Sequence, residues 1–299
     1  MPHASSRHLL ATAWLGELRL EQWIKNGFVL APLVFSLQMT DRASLFRASA
    51  TFLSFGLAAS GSYAINDLRD LPEDRNHPVK SKRPVAAGLI TPSQAIDAAV
   101  VLWLAALITA WLVNVATICY VFAYVTVNIL YSSGLKKVPI LDVLLLAAGY
   151  VIRVLAGSAA VGVTATPWIL TVTFFIALVL GFGKRRSEIS ELVSDAADCR
   201  EVLGSYTIPL LDSFILVSVA STVITYALYI VESETGGRVG DGSLILTLPF
   251  VVFGLFRYLF LLHSSSAGSN PTKVVTTDRP LALTILGWIL TVVVSLYLI

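Results

Sequence analysis

The sequence predicts an all-α membrane protein that crosses the bilayer about nine times. Three observations lead there. Mean hydropathy is +0.78 and only 13% of the 299 residues are charged, outside the range of a water-soluble domain. Apolar runs recur along the whole chain, each about long enough for a helix to cover the roughly 30 Å hydrocarbon core. The connectors alternate between short ones poor in cations and longer ones rich in Lys and Arg, the asymmetry of a chain threaded back and forth across a membrane.

Taken in order, the expected spans are about 14–38, 46–66, 94–113, 115–133, 140–161, 167–183, 213–231, 243–262 and 281–299. The first has a clean apolar part, Gly27 to Met39, too short to cross alone. It is expected to begin earlier as an amphipathic stretch that carries Lys25 and Asn26 inward. The second ends on the nonapeptide Asn66 to Asp74, and the third and fourth are separated by the few residues around Asn114. The fifth carries Arg153 within it, and the sixth ends on the polar run Gly181 to Asp195. Gly236 to Gly242 and Ser264 to Pro271 read as connecting loops before the last two spans. Residues 1–299 are thus expected to form one helical domain, with active polar loops at about 66–92 and 183–206.

Orientation follows from the cations. One side holds Arg69, Arg75, Lys80, Lys82, Arg83, Lys136, Lys137, Lys184, Arg185 and Arg186, whereas the other holds Arg42, Arg47 and Arg238. The rule that cytoplasmic loops are positive places the N-terminus and both active loops in the cytoplasm. No short apolar segment with a small-residue cleavage site precedes the first span, so no removable signal peptide is expected.

Other classes are disfavoured. A net charge of +2, with no basic soluble module or stacking platform, gives no reason to expect nucleic acid. Cys119 falls in a span and Cys199 in a cytoplasmic loop, so no disulfide is expected, and four scattered histidines lack the spacing of a zinc site.

The chemistry concentrates at the end of the second span. Asp67, Asp70 and Asp74 are spaced three and four apart, so on a helix they fall within about one sixth of a turn, and Asn66 pairs with Asp70 at i, i+4. Such a stripe suits Mg²⁺, which takes one or two carboxylates and leaves other positions to water and substrate phosphate. Lys80, Lys82 and Arg83 follow at once and can grip the remaining phosphate oxygens. The plain alternative is a solvated loop of mixed charge. Pro72 cannot continue a regular helix, so the shared face is firmer for Asp67 and Asp70 than for Asp74.

A second constellation follows the sixth span, where Lys184, Glu188, Glu191 and Asp195 recur at four, three and four, with Arg185 and Arg186 beside them. Stabilising i, i+4 pairs on an exposed helix explain it as readily as a substrate site does. Arg153 should face a partner or a polar cavity, either as a buried ion pair or as a phosphate contact. Asp142 lies three turns away, so its partner is expected elsewhere. Lys25 and the Lys136–Lys137 pair are further cations to consider. Tyr63, Tyr206, Tyr226 and Tyr229 can hydrogen-bond a substrate or simply anchor the interface.

Asn66, Asp67, Asp70 and Asp74 match the N-D-x-x-D-x-x-x-D signature in full, and the chain resembles the UbiA superfamily of intramembrane prenyltransferases over essentially its whole length. The resemblance implies a helical bundle around a central cavity open laterally to membrane lipid, with Mg²⁺-bound diphosphate at its cytoplasmic mouth. Gln22 to Asn26 (Q-W-x-K-N), Asn76 to Gly88 (N-H-P-x-K-x-x-R-P-x-A-A-G) and Gly183 to Arg185 (G-K-R) are similar to one branch, the decaprenyl-phosphate phosphoribosyltransferases. Aromatic prenyltransferases of the superfamily carry an Asp-rich second motif where this chain has Lys184, Arg185, Arg186, Glu188 and Glu191.

What the branch implies is transfer of a 5-phosphoribosyl group from phosphoribosyl diphosphate to a polyprenyl phosphate, with Mg²⁺ as cofactor and a lipid-linked arabinan precursor as product. Asp67, Asp70, Asp74, Lys184 and Arg185 would do the chemistry, with Asn66 helping to hold metal. Lys25, Lys80, Lys82, Arg83, Arg153, Arg186, Glu188, Glu191 and Tyr206 would bind substrate. A bacterial plasma-membrane location follows, and a homo-oligomer is compatible. The rivals are a prenyltransferase with an aromatic acceptor and, from another class, a non-enzymatic lipid transporter, which would show matching halves and mid-membrane charges.

Overall fold

The computed structural model describes residues 12–76, 79–192, 201–235, 243–264, 274 and 277–298. A helical turn over 12–18 is followed by a 3-10 segment, Leu20–Val29, and the short helix α1, Ala31–Phe35. Then come α2 (Arg42–Arg69), α3 (Leu71–Asn76), α4 (Pro92–Trp111), α5 (Val115–Ser132), α6 (Leu141–Val161), α7 (Pro167–Leu192), α8 (Ile208–Thr235), α9 (Leu248–His263) and α10 (Arg279–Tyr297). Seven segments are long and apolar enough to cross a membrane: those at α4 to α8 and α10, together with 243–263 around α9.

The eighth crossing is α2, whose 28 residues span about 42 Å. Its hydropathy is low because the buried face is built of small residues, among them Ser54, Gly56, Ala58, Ala59, Ser60 and Gly61. Small side chains let helix backbones approach closely in a bilayer, where packing rather than the hydrophobic effect holds helices together. Ser54 Oγ donates to the Ala106 carbonyl at 2.7 Å and Trp103 Nε1 to the Ala58 carbonyl at 3.3 Å, which fixes α4 antiparallel to α2.

The ninth crossing is broken. Arg19 adopts a left-handed conformation with φ 48°, so the turn over 12–18 does not run on into the 3-10 segment, and the expected continuous span 14–38 is replaced by three pieces. Gly157 explains how this segment beds into α6: a Cβ there would stand 2.0 Å from the Val29 carbonyl oxygen. Only glycine admits that approach.

Helix starts follow local chemistry. Asp41, Asn114 and Asp278 accept backbone N–H groups from Ser44, Thr117 and Leu281, and Thr91 forms a reciprocal capping box with Gln94. The connectors 70–91, 133–140, 193–207 and 264–278 all join helix ends on one side, the polar end. At the opposite end the Tyr297 hydroxyl reaches the Val34 carbonyl at 2.9 Å, bringing the last helix back to α1.

Candidate active site

Asp67, Asp70 and Asp74 gather at the polar end of α2, each only 2% exposed. The helix does end early, at Arg69, and Pro72 occupies the first turn of α3, where a missing N–H does no harm. Backbone bonds run through the junction, from Asp70 N to the Asn66 carbonyl at 2.9 Å and from Asp74 N to the Asp70 carbonyl at 2.8 Å. Helical spacing survives, and Asp74 stays with the other two.

Arg83 shows the convergence. Its Nη1 donates to Asp67 Oδ1 at 2.9 Å and to Asp74 Oδ2 at 2.6 Å. Arg19 donates to the second oxygen of Asp67 and stacks 5.2 Å from the centre of the Tyr63 ring, so its left-handed backbone serves to aim the guanidinium. Lys136 donates to Asp70, whose other oxygen accepts from Asn66 Nδ2 at 3.0 Å. Asn66 Oδ1 in turn accepts from Ser132 Oγ at 3.2 Å and Lys136 Nζ at 3.4 Å. Burial pushes the Asp74 carboxyl above its ordinary range, against the pull of Arg83.

In front of the acids lies a cavity of about 290 Å³. Five cations line it, Arg19, Lys25, Arg83, Arg153 and Lys184, together with Asn66, Asn128 and the tyrosines 63, 124, 131 and 150; no carboxylate is among its described lining residues. Arg153, 4% exposed, is held wholly by neutral groups: Nε donates to Asn26 Oδ1 at 2.8 Å, Nη1 to the Gly149 carbonyl at 2.9 Å and Nη2 to the Tyr124 hydroxyl at 3.0 Å. Its guanidinium also lies 4.5 Å from the Tyr124 ring centre and 5.5 Å from that of Tyr150. A buried guanidinium with no carboxylate among these contacts leaves the cavity positive and suited to an anion. Ile24, Phe28, Val127, Leu145, Leu146 and Leu180 supply an apolar wall beside it.

The second constellation divides. Lys184 reaches the cavity and lies 3.9 Å from Glu188. Arg185, fully buried, points elsewhere: Nε donates to Asp142 at 2.6 Å, Nη1 to Glu188 at 2.6 Å and Nη2 to the Tyr131 hydroxyl at 3.1 Å. Tyr206 donates to Asp142 at 2.8 Å and accepts the Ile140 N–H at 2.5 Å, and burial pushes its phenol up to about 12. Arg186 binds Asp212 at 2.5 Å and the Leu262 carbonyl at 2.7 Å, and Lys80, Lys82, Arg186 and Tyr206 are not among the cavity-lining residues. Both expected loops are largely helical where the chemistry sits: 66–69 complete α2 and 183–192 complete α7. The Glu191 side chain, Asp195, Cys199, His77 and Pro78 lie outside the described residues.

Arg19, Lys136 and Asp142 turn out to matter more than their sequence context suggests. Glu17, absent from every motif, is also buried at this end, 3% exposed, with neither carboxylate oxygen hydrogen-bonded. A Cβ on the neighbouring Gly16 would stand 3.7 Å from Pro84, which sets this turn against the 79–91 connector. Burial, reinforced by the nearby charge of Asp67, pushes its carboxyl up to about 7.

Among the described residues no group of three acidic, histidine or cysteine side chains is disposed to hold a metal ion, and cations pair with the three aspartates. The donor set nevertheless fits a hard divalent cation arriving with an anion. Such an ion needs only one or two protein carboxylates when phosphate and water complete its shell. The two Glu17 oxygens, buried without a hydrogen bond, are further potential acceptors at this end.

Comparison with known proteins gives a consistent set of likenesses. A profile of the UbiA prenyltransferase family matches residues 28–277. A decaprenyl-phosphate phosphoribosyltransferase from Corynebacterium glutamicum is 31% identical over 97% of this chain and 88% of its own length. One from Mycobacterium tuberculosis is 32% identical over 92% of this chain and 91% of its own. Among solved structures, a UbiA homolog from Archaeoglobus fulgidus bound to GPP and Mg²⁺ superposes with a TM-score of 0.73 at 21% identity, covering 95% of this chain and 99% of that one. An apo UbiA homolog from Aeropyrum pernix gives 0.67 at 15% identity, with 91% and 98% covered.

Proposed function

The chain belongs to the UbiA prenyltransferase family, and from that membership we propose that it is a phosphoribosyltransferase of the membrane. It moves the 5-phosphoribosyl group from phosphoribosyl diphosphate to a polyprenyl phosphate of decaprenyl type and releases pyrophosphate. The observation that carries this reading is a cavity lined by five cations and backed by three buried aspartates. Two phosphorylated substrates held at once require that much fixed positive charge, whereas one diphosphate and an aromatic acceptor require less. The names of the 31–32% identical relatives point the same way.

Asp67, Asp70 and Asp74, with Asn66 orienting Asp70, would hold Mg²⁺ on the diphosphate. When bound, the metal offsets charge building on the departing pyrophosphate. Arg19, Arg83 and Lys136, which pair with the aspartates, would be within reach of the phosphate oxygens of a bound diphosphate. Lys184 and Lys25 orient the donor and the lipid phosphate, and Arg153 gives the back of the cavity its fixed charge. The lipid phosphate is anionic near neutral pH and needs no strong general base. One of its oxygens bonds to the anomeric carbon as the bond to pyrophosphate breaks, with oxocarbenium character in between, and alignment of the two is the main task of the site. Arg185 and Tyr206 act behind the cavity wall as positioning residues. The polar end faces the cytoplasm of a bacterial plasma membrane, and the product is a lipid-linked pentose for arabinan assembly.

Purified protein in detergent, given Mg²⁺, labelled phosphoribosyl diphosphate and decaprenyl phosphate, is expected to move label into organic solvent, and chelation to stop it. Prenyl transfer to 4-hydroxybenzoate in a parallel reaction, without label transfer, would sink the proposal. Asp67→Asn is expected to cut turnover on the order of a hundredfold, the scale of losing one fixed electrostatic contact at a reacting centre. Asn is the better probe than Ala, because Arg19 and Arg83 both rest on Asp67.

A further inference from the structure

Glu17 is an acid at the polar end that is buried without a hydrogen bond and that the proposed mechanism leaves unused. Trp14 anchors its helical turn in the apolar cluster of Val85, Ile90 and Ala95, which sets Glu17 near enough to Asp67, Arg19 and Arg83 for their charges to act on it. Those cations are committed: Arg19 and Arg83 to Asp67, Arg83 also to Asp74, while Lys136 takes Asp70. Glu17 is left 3% exposed with both oxygens unbonded. A carboxylate in that state is costly to keep, and apolar packing gives no reason for one. Short of taking up a proton, it is satisfied only by a positive partner or a strong donor.

We infer that Glu17 is a fourth carboxylate of the divalent-cation site, holding the ion directly or through one of its bound waters. The inference rests on the metal–diphosphate reading above and extends that site beyond the aspartate signature to a residue on the N-terminal turn. Carboxylates just outside a metal's inner shell commonly set its affinity.

The test uses full-length protein in detergent and Mn²⁺ alone, with bound ion read by electron paramagnetic resonance and fold by thermal unfolding in chelator. Glu17→Gln and Glu17→Met are each expected to weaken Mn²⁺ binding about tenfold or more, as Asp67→Asn does. Their unfolding midpoints in chelator should be no lower than that of the unaltered protein, because a buried unpaired acid has been removed. Unchanged Mn²⁺ affinity in both Glu17 variants, with Asp67→Asn weakened, overturns the inference and leaves the metal reading standing. Lower midpoints in chelator for both would make Glu17 a structural residue and overturn it as well. If the unaltered protein binds no Mn²⁺, or Asp67→Asn binds it unchanged, the metal reading falls and the inference with it.

Discussion

Lys184 and Arg185 are adjacent in sequence and opposite in use. Lys184 is 39% exposed at its side chain and faces the cavity, whereas Arg185 is buried and engaged by Asp142, Glu188 and Tyr131. Lys184→Ala is therefore expected to raise KM for phosphoribosyl diphosphate about tenfold, the scale of one charge-assisted hydrogen bond, with no change in unfolding midpoint. Arg185→Gln removes the buried cation between Asp142 and Glu188 and is expected to cost roughly 3–5 kcal/mol, read as a lowered midpoint in detergent and a poor yield of folded protein. A stable Arg185→Gln variant with only KM altered would reverse the two roles. The G-K-R motif was visible in the sequence as one unit, but spacing tells only which side chains share a helix face. It cannot tell that Asp142, 43 residues earlier, meets one of them.

At the scale of elements, the aspartate stripe was legible because a helix enforces its own geometry: residues three and four apart converge whatever the rest of the chain does. Pro72 did not break that logic, since it opens a new turn rather than interrupting an old one. The break in the first crossing was not legible, because it depends on a left-handed Arg19 and on Gly157 in a distant helix. Tyr206 is a similar case. Its hydroxyl ties the start of α6, through the Ile140 N–H and the Asp142 carboxylate, to the chain that follows α7. Ile140 has φ 69°, a conformation that a β-branched residue holds only under constraint. Tyr206→Phe leaves the Ile140 N–H and an oxygen of the buried Asp142 carboxylate without this partner and is expected to lower stability by about 1–3 kcal/mol. Thermal unfolding in detergent checks this, and an unchanged midpoint would show that α6 begins correctly without the clamp.

Across the whole molecule, charge is segregated twice: the cation-rich connectors gather at one end, and within that end the carboxylates lie behind a layer of Arg and Lys that faces the cavity. Hydropathy and connector composition disclosed the first segregation, since both are sums over sequence. The second depends on α2, the 133–140 connector and the 79–91 connector meeting, through Asn66, Lys136 and Arg83. Such an arrangement is self-neutralised without ligand, and a divalent cation alone must compete with Arg19, Arg83 and Lys136 for the same oxygens. Phosphoribosyl diphosphate alone meets the cations while they are still paired. On the proposed reading, the metal would take the carboxylates and the displaced cations the phosphates, so each would lower the other's cost of binding, a reciprocal coupling. Mg²⁺ and phosphoribosyl diphosphate added together are thus expected to raise the unfolding midpoint by more than the sum of their separate effects. The stabilisation would approach about 2.7 kcal/mol at a hundredfold excess over Kd. Four unfolding curves in detergent, with neither ligand, each alone and both, decide the matter, and strictly additive shifts would mean that the cation layer does not hand over from aspartate to phosphate.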